Sequence, residues 1–231
     1  MVKDAKVIEK EKQNAAYRAA DHIKSGMILG LGSGSTVRHL IYRIASEKIV
    51  CSVVPTSYDS ELMANNAGIP IVELPEEGID LAIDGADEVA LKTLALIKGG
   101  GGALTREKIV RMAAKKFIVI ADSRKYVERL GNFPVAVEVL PFGWKRTRKK
   151  LEELGGKASL RMAKAKLGPI ISDNGNLILD LKMNNLIESP KELEVAINSI
   201  TGVIENGIFS NHHDFAYIGE DEAVKMLEKP K

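Results

Sequence analysis

Short apolar runs alternate with amphipathic segments from Asp4 to Ala121. The amphipathic segments place alanine and aliphatic residues three or four positions apart among charged residues, which predicts helices. The intervening runs are β-branched and nearly all apolar, which predicts strands that are covered on both faces. The predicted helices are 4–24, 36–46, 58–67 and 105–115, and the predicted strands are 27–31, 49–54, 71–74, 79–83, 94–97 and 117–121. This alternation indicates a parallel sheet wound on both sides by helices.

The order of the predicted elements changes after Asn132. Strand, helix, strand, strand and helix now follow one another, and residues 173–176 (Asp-Asn-Gly-Asn) are a hairpin signal because Asn and Gly accept positive φ angles. We therefore expect a small two-layer α+β unit of the ferredoxin-like kind. The predicted strands are 135–140, 158–162, 170–172 and 177–181, the predicted helices are 144–154 and 190–199, and the tail adds strands 203–209 and 215–218 and a last helix, 221–227.

The expected fold class is α/β: a doubly wound, mostly parallel sheet with a second, smaller α+β (ferredoxin-like) domain. The larger domain is expected at 1–132 plus 204–231, with the tail rejoining the sheet. The smaller domain is expected at 133–203. No internal repeat or low-complexity linker marks the division.

The composition predicts a globular protein of the cytoplasm. Apolar residues make up 45% of the 231 positions, which is enough for a buried core. Cys51 is the only cysteine, so no intramolecular disulfide forms, as in a reducing compartment. The N-terminus is too charged for a signal peptide, and no apolar run is long enough to cross a membrane. A formal charge of +2 gives no argument for a nucleic-acid partner.

A glycine-rich segment at residues 30–36 separates the first predicted strand from the second predicted helix. Glycines let backbone amides approach a phosphate closely, and a helix N-terminus favours negative charge. The hydroxyls of the segment can donate further hydrogen bonds, so we expect phosphate binding; a tight turn with a hydroxyl N-cap is the alternative. A dinucleotide fingerprint fits less well because Ser35 stands where the third glycine is required, and no Gly-Lys-Ser/Thr follows as in a P-loop.

Three carboxylates follow the strand predicted at 79–83, in the segment Asp84-Gly85-Ala86-Asp87-Glu88. In an open parallel sheet ligands bind at the carboxyl ends of the strands, so these side chains can face a sugar. Carboxylates can hydrogen-bond sugar hydroxyls or move protons, and clustered carboxylates raise one another's pKa. A turn stabilised by Asp side chains, or a Mg²⁺ site, would use the same residues.

Lys98 opens a run of four glycines, and Glu107 lies in the first turn of the helix predicted after it. Four successive glycines lose much entropy on folding, so the run indicates a main chain held close to a ligand, with amides that can donate to an oxyanion. Lys98 adds a fixed positive charge. Glu107 is either a group that acts on this ligand or an ordinary acid that complements the helix dipole.

The remaining polar candidates are less specific. Lys125 follows the strand predicted at 117–121 and could reach a phosphate or sugar oxygen, or lie in a solvated turn. Lys12 lies on a charged helix face, although it could fold over the phosphate. His212-His213-Asp214 resembles a metal site, but adjacent residues of a strand point in opposite directions, which makes joint ligation awkward. We expect no metal.

Three segments together, GLGSGSTVRHLI, DGADEV and KGGGGALTREKI, closely resemble ribose-5-phosphate isomerase of the A type in order and spacing. The segments ADSRKYV, DNGNLILD and GVIENGIF extend the resemblance through nearly the whole chain. The usual loop of that family reads G-T-G-S-T. Here it is Gly32-Ser33-Gly34-Ser35-Thr36, a hydroxyl-for-hydroxyl change that keeps phosphate binding plausible.

The resemblance implies interconversion of D-ribose 5-phosphate and D-ribulose 5-phosphate in the non-oxidative pentose phosphate pathway. It implies a Rossmann-like larger domain, no metal, no cofactor, and a homodimer or homotetramer. Glu107 matches the proton acceptor of the family, and Asp84 or Asp87 with Lys98 could open the sugar ring. The substrate-binding positions implied are Ser33, Gly34, Ser35, Thr36, Asp84, Gly85, Ala86, Asp87, Lys98, Gly99, Gly100, Gly101 and Lys125.

Two other functions use the same kinds of residue. A sugar-phosphate sensor would bind the ligand without turnover, but the short helix before Met27 leaves no room for a helix-turn-helix. An acyl-CoA transferase-like enzyme would use a glutamate as nucleophile. For an isomerase, hydride transfer between the two carbons is the alternative to proton transfer, and it would ordinarily call for a metal.

Overall fold

A computed structural model of the chain describes residues 3–210 and 214–228. These residues form two compact units. The first unit combines the described chain up to Ala86 with Arg106–Tyr126 and the described residues from Asp214 onward. The second unit combines Asp87–Thr105 with the described residues from Val127 to Ser210. Each unit has its own hydrophobic core, as expected for domains.

Helices and mostly parallel strands alternate in the first unit, as the apolar pattern predicted. The strands are β1 (Ile28–Leu31), β2 (Ser52–Pro55), β3 (Leu81–Gly85), β6 (Phe117–Asp122), β13 (Phe215–Gly219) and β14 (Val224–Glu228). The helices are α1 (Ala5–Ala20), α2 (Ser35–Ser46), α3 (Tyr58–Asn66) and α4 (Leu104–Ala113), of which the first two residues of α4 group with the second unit. None of the helices within 3–210 and 214–228 is both long enough and apolar enough to cross a membrane.

The six strands form one sheet in the order β14-β13-β6-β3-β1-β2, in which only β14 runs antiparallel. The winding of the chain reverses at β1, which pairs with β2 on one side and β3 on the other. Leu29 of β1 lies opposite both Val53 and Leu81. Such a reversal leaves a crevice outside the carboxyl ends of the central strands, where ligands bind in this class of sheet. The loop after β1 and the end of β3 therefore border this crevice.

The helix predicted at 221–227 is wrong. These residues have good helix propensity, but β14 instead pairs antiparallel with β13, with Tyr217 opposite Met226. Pairing at the sheet edge satisfies backbone groups and overrides the weak local propensity. The strand predicted at 71–74 is reduced to a single bridge between Ile71 and Val53.

A four-stranded antiparallel sheet and two helices make up most of the second unit. They are β8 (Val135–Val139), α5 (Trp144–Glu152), β9 (Gly156–Leu160), β10 (Leu177–Met183), α6 (Pro190–Asn198) and β11 (Val203–Asn206). The sheet order is β11-β8-β10-β9. This strand–helix–strand–strand–helix–strand order is the ferredoxin-like one. The expected fold class, a doubly wound sheet with a smaller α+β domain, is thus confirmed.

A small second sheet also belongs to this unit. Its strands are β4 (Glu88–Ala90), β5 (Leu96–Ile97), β7 (Tyr126–Val127) and β12 (Ile208–Phe209), in the order β12-β5-β4-β7. The single strand predicted at 203–209 is interrupted at Gly207, where a Cβ would lie 2.2 Å from the carbonyl oxygen of Lys98. Because β5 pairs with β12, residues 87–105 group with the second unit. The sequence-based domain bounds, 1–132 plus 204–231 and 133–203, place this segment differently and stay a prediction.

Candidate functional site

Residues 30–36, here called the glycine loop, leave β1 and are held to β3 by Asp84. The side chain of Asp84 is buried, and its Oδ1 accepts hydrogen bonds from the amide of Ser33 at 3.1 Å and from that of Gly85 at 2.6 Å. A Cβ on Gly32 would lie 2.0 Å from the same oxygen, so only glycine lets the loop pass this close. Asp84 therefore shapes the loop that is predicted to hold phosphate.

The glycine loop runs directly into the first turn of α2. Gly34 is the N-cap residue and has a φ of +101°, a conformation that favours glycine. Since glycine has no side chain to cap this turn, its amides can meet an anion, which the helix dipole also favours. Gly34 and Ser35 are exposed and Thr36 is half-buried. Gly85 and Ala86, at the end of the neighbouring β3, are partly exposed as well.

Three hydroxyls meet next to the glycine loop. Ser33 Oγ lies 2.9 Å from Thr56 Oγ1 and donates to Ser57 Oγ at 2.7 Å. Ser57 also caps α3 through a capping box with Ser60. Sequence reasoning missed Thr56 and Ser57, although both follow β2, and the ends of neighbouring parallel strands lie at the same edge of a sheet.

Glu107 is a buried carboxylate, 6% exposed, in the first turn of α4. Val110 lies three residues later and so on the same helix face. This face packs over β1, since a Cβ on Gly30 would lie only 2.4 Å from Val110 Cγ1. Because α4 leads into a strand parallel to β1, its first turn lies toward the carboxyl edge of the sheet. Glu107 is therefore on the helix face that covers the strand leading into the glycine loop.

Lys125 is half-buried in the 3₁₀ turn that follows β6. Glu11 of α1 is fully buried, and its Oε2 accepts hydrogen bonds from Ser123 N at 3.2 Å and Ser123 Oγ at 2.8 Å. Asp122 accepts a hydrogen bond from Arg124 Nε at 2.7 Å. Burial alone raises the pKa of Asp122, but the hydrogen bonds and charge of Arg124 outweigh it and lower that pKa. Sequence reasoning missed Glu11, because one acid in a charged helix gives no signal.

In the second unit Asp87 holds residues 99–102, here called the polyglycine run. Asp87 Oδ2 accepts a hydrogen bond from the Gly100 amide at 2.7 Å, and a Cβ on Gly100 would lie 2.6 Å from Asp87 Oδ1. The run makes a turn in which the Gly102 amide donates to the Gly99 carbonyl at 3.0 Å, and both of these glycines have positive φ. Glycine is therefore required at Gly100 for contact and at Gly99 and Gly102 for conformation.

Lys98 and Gly101 differ in exposure although they lie three residues apart. Lys98 is 2% exposed, and its Nζ lies 5.7 Å from the centroid of the Phe209 ring. An ammonium held over an aromatic face is a fixed positive charge. Gly101 is exposed, and a Cβ there would meet no atom within 4 Å. The polyglycine run is therefore open at this residue.

Glu88 is a structural carboxylate. Its Oε2 accepts a hydrogen bond from the Gly131 amide at 2.7 Å, and its Oε1 accepts one from the Phe133 amide at 2.8 Å. Asp84, Asp87 and Glu88 thus each hold a different loop. The sequence grouped them as one carboxylate cluster, but their hydrogen bonds give them separate tasks.

Arg161 binds the carbonyl side of the polyglycine run. Its Nη1 donates to the carbonyl of Gly99 at 2.8 Å and to that of Gly100 at 3.3 Å. Its Nε donates to Asp180 Oδ2 at 3.0 Å, and its Nη2 donates to Asp180 Oδ1. Sequence reasoning missed this pair because Arg161 is 62 residues away from Gly99 along the chain. Only the pairing of β9 with β10 brings its carboxylate partner beside it.

Glu138 of β8 is also a buried carboxylate, and it holds the start of α4. Its oxygens accept hydrogen bonds from Thr105 Oγ1, from Ser172 Oγ at 2.7 Å, and from the side-chain amides of Asn174 and Asn176 at 3.1 and 2.8 Å. Burial by itself raises the pKa of Glu138, but these hydrogen bonds outweigh burial and lower the pKa below its ordinary value. Thr105 lies in the same helical turn as the candidate proton acceptor.

Within 3–210 and 214–228, no group of three His, Cys, Asp or Glu side chains is placed to hold a metal ion. His212 and His213, which the sequence offered as a metal-like pair, lie outside the described residues. Lys12 is largely buried, and its Nζ donates to Glu9 Oε1 at 2.6 Å.

Comparison with known proteins gives one consistent family. The sequence model of Ribose 5-phosphate isomerase A (phosphoriboisomerase A) matches residues 52–223. A protein of Prochlorococcus marinus named Ribose-5-phosphate isomerase A is 50% identical, and the match covers 94% of this chain and 97% of that protein. One of the same name from Methanococcus vannielii is 47% identical, with 94% of this chain and 92% of the relative covered.

Solved structures agree with the sequence comparison. The structure of ribose 5-phosphate isomerase A from Methanocaldococcus jannaschii has a TM-score of 0.90 and 44% identity, and the match covers 96% of this chain and 99% of that one. A D-ribose-5-phosphate isomerase in complex with phospho-erythronic acid has a TM-score of 0.92 and 43% identity, with the same coverage.

Proposed function

The chain belongs to the ribose 5-phosphate isomerase A family, and we propose that it interconverts D-ribose 5-phosphate and D-ribulose 5-phosphate. It is then an aldose–ketose isomerase of the non-oxidative pentose phosphate pathway. The observation that carries this proposal is the buried carboxylate of Glu107, on the helix face that packs over Gly30 at the start of the glycine loop. A proton transfer on a sugar phosphate needs a base and an anion-binding loop of this kind.

The glycine loop binds the 5-phosphate through Ser33, Gly34, Ser35 and Thr36. The uncapped first turn of α2 supports this role. Lys125 adds a positive charge to the substrate-binding set. Binding energy at the phosphate, remote from the reacting carbons, holds those carbons in place for the chemistry.

The sugar ring opens before isomerisation. Asp84 or Asp87, together with Lys98, transfers protons between the ring oxygen and the anomeric oxygen. Gly85 and Ala86, which follow Asp84, leave room for the sugar because they carry little or no side chain. The assignment is supported by the polar character of the three side chains and by their match to the family motifs.

Glu107 removes the proton from C2 of the open-chain aldose, which gives a cis-enediolate, and returns it to C1. One carboxylate over one face of the planar intermediate serves both steps. Negative charge develops on the sugar oxygens during this transfer. Lys98 and the polyglycine run at Gly99, Gly100 and Gly101 stabilise that charge.

We also propose that the enzyme works in the cytoplasm as a homodimer or homotetramer, with no cofactor and with neither nucleic acid nor a membrane as partner. Leu140 and Phe142, 45% and 95% exposed, lie two residues apart and line the same cavity, so together they offer an apolar surface to a second copy. Light scattering of the purified protein tests the oligomeric state. A single species at the monomer mass would refute it.

The direct test is to incubate the purified protein with ribose 5-phosphate and EDTA and to follow ketose formation. We expect steady conversion to ribulose 5-phosphate. The non-catalytic sensor is not supported, because the relatives matched over 94% of this chain are named as isomerases. Binding without turnover would nevertheless revive it. Transfer of an acyl group from a CoA thioester would favour the transferase alternative, and activity lost to EDTA and restored by one divalent ion would overturn the metal-free reaction.

A further inference from the structure

We propose that Arg161 is a positioning residue for the isomerisation. Its guanidinium, held by Asp180, sets the direction of the peptide groups in the polyglycine run before the substrate arrives. This inference rests on the proposed function, because it assigns a task to a run that the proposed reaction uses. Arg161 acts through the backbone of Gly99 and Gly100, to which it donates.

One guanidinium nitrogen serves two consecutive carbonyls. Arg161 Nη1 lies 2.8 Å from the oxygen of Gly99 and 3.3 Å from that of Gly100. Successive carbonyls of an extended chain point to opposite sides, so both can meet the same cation only where the chain turns. Such a turn is closed by the hydrogen bond from the Gly102 amide to the Gly99 carbonyl, with Gly100 and Gly101 as its central residues. The turn conformation of the polyglycine run and its contact with the Arg161 guanidinium therefore depend on each other.

The cation fixes the amides as well as the carbonyls. A trans peptide unit points its C=O and N–H in opposite directions. The Gly99 carbonyl shares a peptide unit with the Gly100 amide, which donates to Asp87 at 2.7 Å. Arg161 on one side and Asp87 on the other thus polarise this unit in the same sense. In the next unit the carbonyl also faces Arg161, so the amide of the exposed Gly101 points away from the guanidinium.

Asp180 fixes the direction of the guanidinium. Two of the Arg161 nitrogens, Nε and Nη2, bind the two oxygens of this carboxylate, and the side chains are only 12% and 22% exposed. Because the donors of arginine lie in one rigid plane, holding two of them aims the third. A lysine offers a single charged nitrogen and cannot bind the carboxylate and aim at both carbonyls in the same way.

This arrangement matters for the transition state rather than for phosphate binding. Amides aimed in advance stabilise developing negative charge without reorganisation. We therefore expect Arg161→Met to lower kcat by about 10- to 100-fold, while KM changes by less than about 3-fold. Arg161→Lys keeps the positive charge but loses the planar, forked guanidinium. Its kcat should lie between those of the unsubstituted chain and Arg161→Met.

Lys182 provides a matched control. It lies on β10, and its Nζ donates to two consecutive carbonyls, those of Gly131 at 2.7 Å and Asn132 at 2.6 Å. These carbonyls belong to a loop with no proposed substrate contact. Lys182→Met therefore removes a cation from loop carbonyls in the same unit, and we expect kcat within about 2-fold of the unsubstituted chain.

Two readouts separate a positioning role from general destabilisation. Hydrogen exchange measured by mass spectrometry should become at least about 10-fold faster in residues 98–105 of Arg161→Met, but not in Lys182→Met. Calorimetry with phospho-erythronic acid, which carries a carboxylate as well as a phosphate, should show weaker binding to Arg161→Met. Binding of inorganic phosphate should be unchanged.

Equal kcat for Arg161→Met and Lys182→Met, or unchanged exchange in residues 98–105, would overturn the inference. So would a parallel loss of phospho-erythronic acid and inorganic phosphate binding, since that result means a general loss of the site. A failure of the proposed function looks different: the unsubstituted chain would form no ketose. The exchange experiment would then still decide whether Arg161 orders the run.

Discussion

The glycine loop of the first unit and the polyglycine run of the second unit both present glycine backbone held by an aspartate, but their other partners differ. Asp84 accepts hydrogen bonds from the amides of Ser33 and Gly85. The Ser33 hydroxyl is hydrogen-bonded to the uncharged hydroxyls of Thr56 and Ser57. Asp87 accepts one hydrogen bond, from the Gly100 amide, and the positively charged Arg161 donates to the carbonyls of Gly99 and Gly100.

This difference corresponds to two kinds of negative charge on the proposed substrate. The phosphate of a sugar phosphate is charged throughout the reaction, and neutral donors at a helix N-terminus suffice to hold it. The charge on the sugar oxygens appears only during proton transfer, and stabilising it needs donors aimed in advance. We therefore expect changes in the glycine loop to alter KM mainly, and changes in the polyglycine run to alter kcat mainly.

Among the substitutions that test this difference between the two segments, we expect Gly100→Ala to change the kinetics most. Its Cβ would lie 2.6 Å from Asp87 Oδ1, so the run must move away from the carboxylate. We expect kcat to fall by about 10²-fold or more, because a shift of about 1 Å at a catalytic contact has this effect. Steady-state kinetics with ribose 5-phosphate measures it.

Gly101→Ala is the matched substitution one residue later. A Cβ there meets no atom within 4 Å, and the amide is kept, so kcat should fall by less than about 10-fold. Equal losses in the two variants would show that any side chain in the run blocks the substrate, and the contact with Asp87 would then be irrelevant.

A smaller effect, of the opposite kind, is expected in the glycine loop. The double variant Ser33→Ala with Thr36→Ala removes two hydroxyls while the amides of the loop remain. We expect KM to rise by about 10-fold and kcat to stay within about 3-fold. The same kinetic assay checks this, and an unchanged KM would place the phosphate elsewhere.

The smallest effect concerns stability at low pH. The folded-state pKa of Glu138 is lowered by its hydrogen bonds, so its contribution is present above the ordinary Glu pKa of about 4.3 and is lost as pH falls through the lower folded value. Urea unfolding at pH 7 and near pH 3.5 should show the wild-type advantage over Glu138→Gln shrinking at the lower pH. An advantage independent of pH would contradict this assignment.

Local chemistry was readable from the sequence, and partners distant in sequence were not. The glycine loop, the 84–88 segment and the run from Lys98 to Glu107 each carry their residue types in one short stretch, so pattern alone located them. Thr56, Glu138 and Arg161 act on these segments from other elements, and Glu11 acts in the same way on Ser123 in the turn after β6. Such residues look ordinary along the chain, because only strand pairing and helix packing bring them to their partners.

The same limit explains where the structure differs from the expected elements and segment grouping. The alternation of apolar runs and helices predicted the parallel sheet because its strands are covered on both faces. The tail at 221–227 has helix-forming residues, and only pairing with β13 makes it a strand. The segment with β4 and β5 joins the second unit because of its pairing with β12, which is more than a hundred residues later.

We propose that Glu107 carries a proton between C2 and C1, and isomerisation of ribose 5-phosphate in D₂O shows whether it does so. A carboxylate that holds the proton in the enediolate state lets part of it exchange, so we expect solvent deuterium at C1 of ribulose 5-phosphate. Glu107→Gln should show kcat lowered by about 10²- to 10⁴-fold with little change in KM. Product free of deuterium at C1, or near-normal turnover by a folded Glu107→Gln variant, would contradict it.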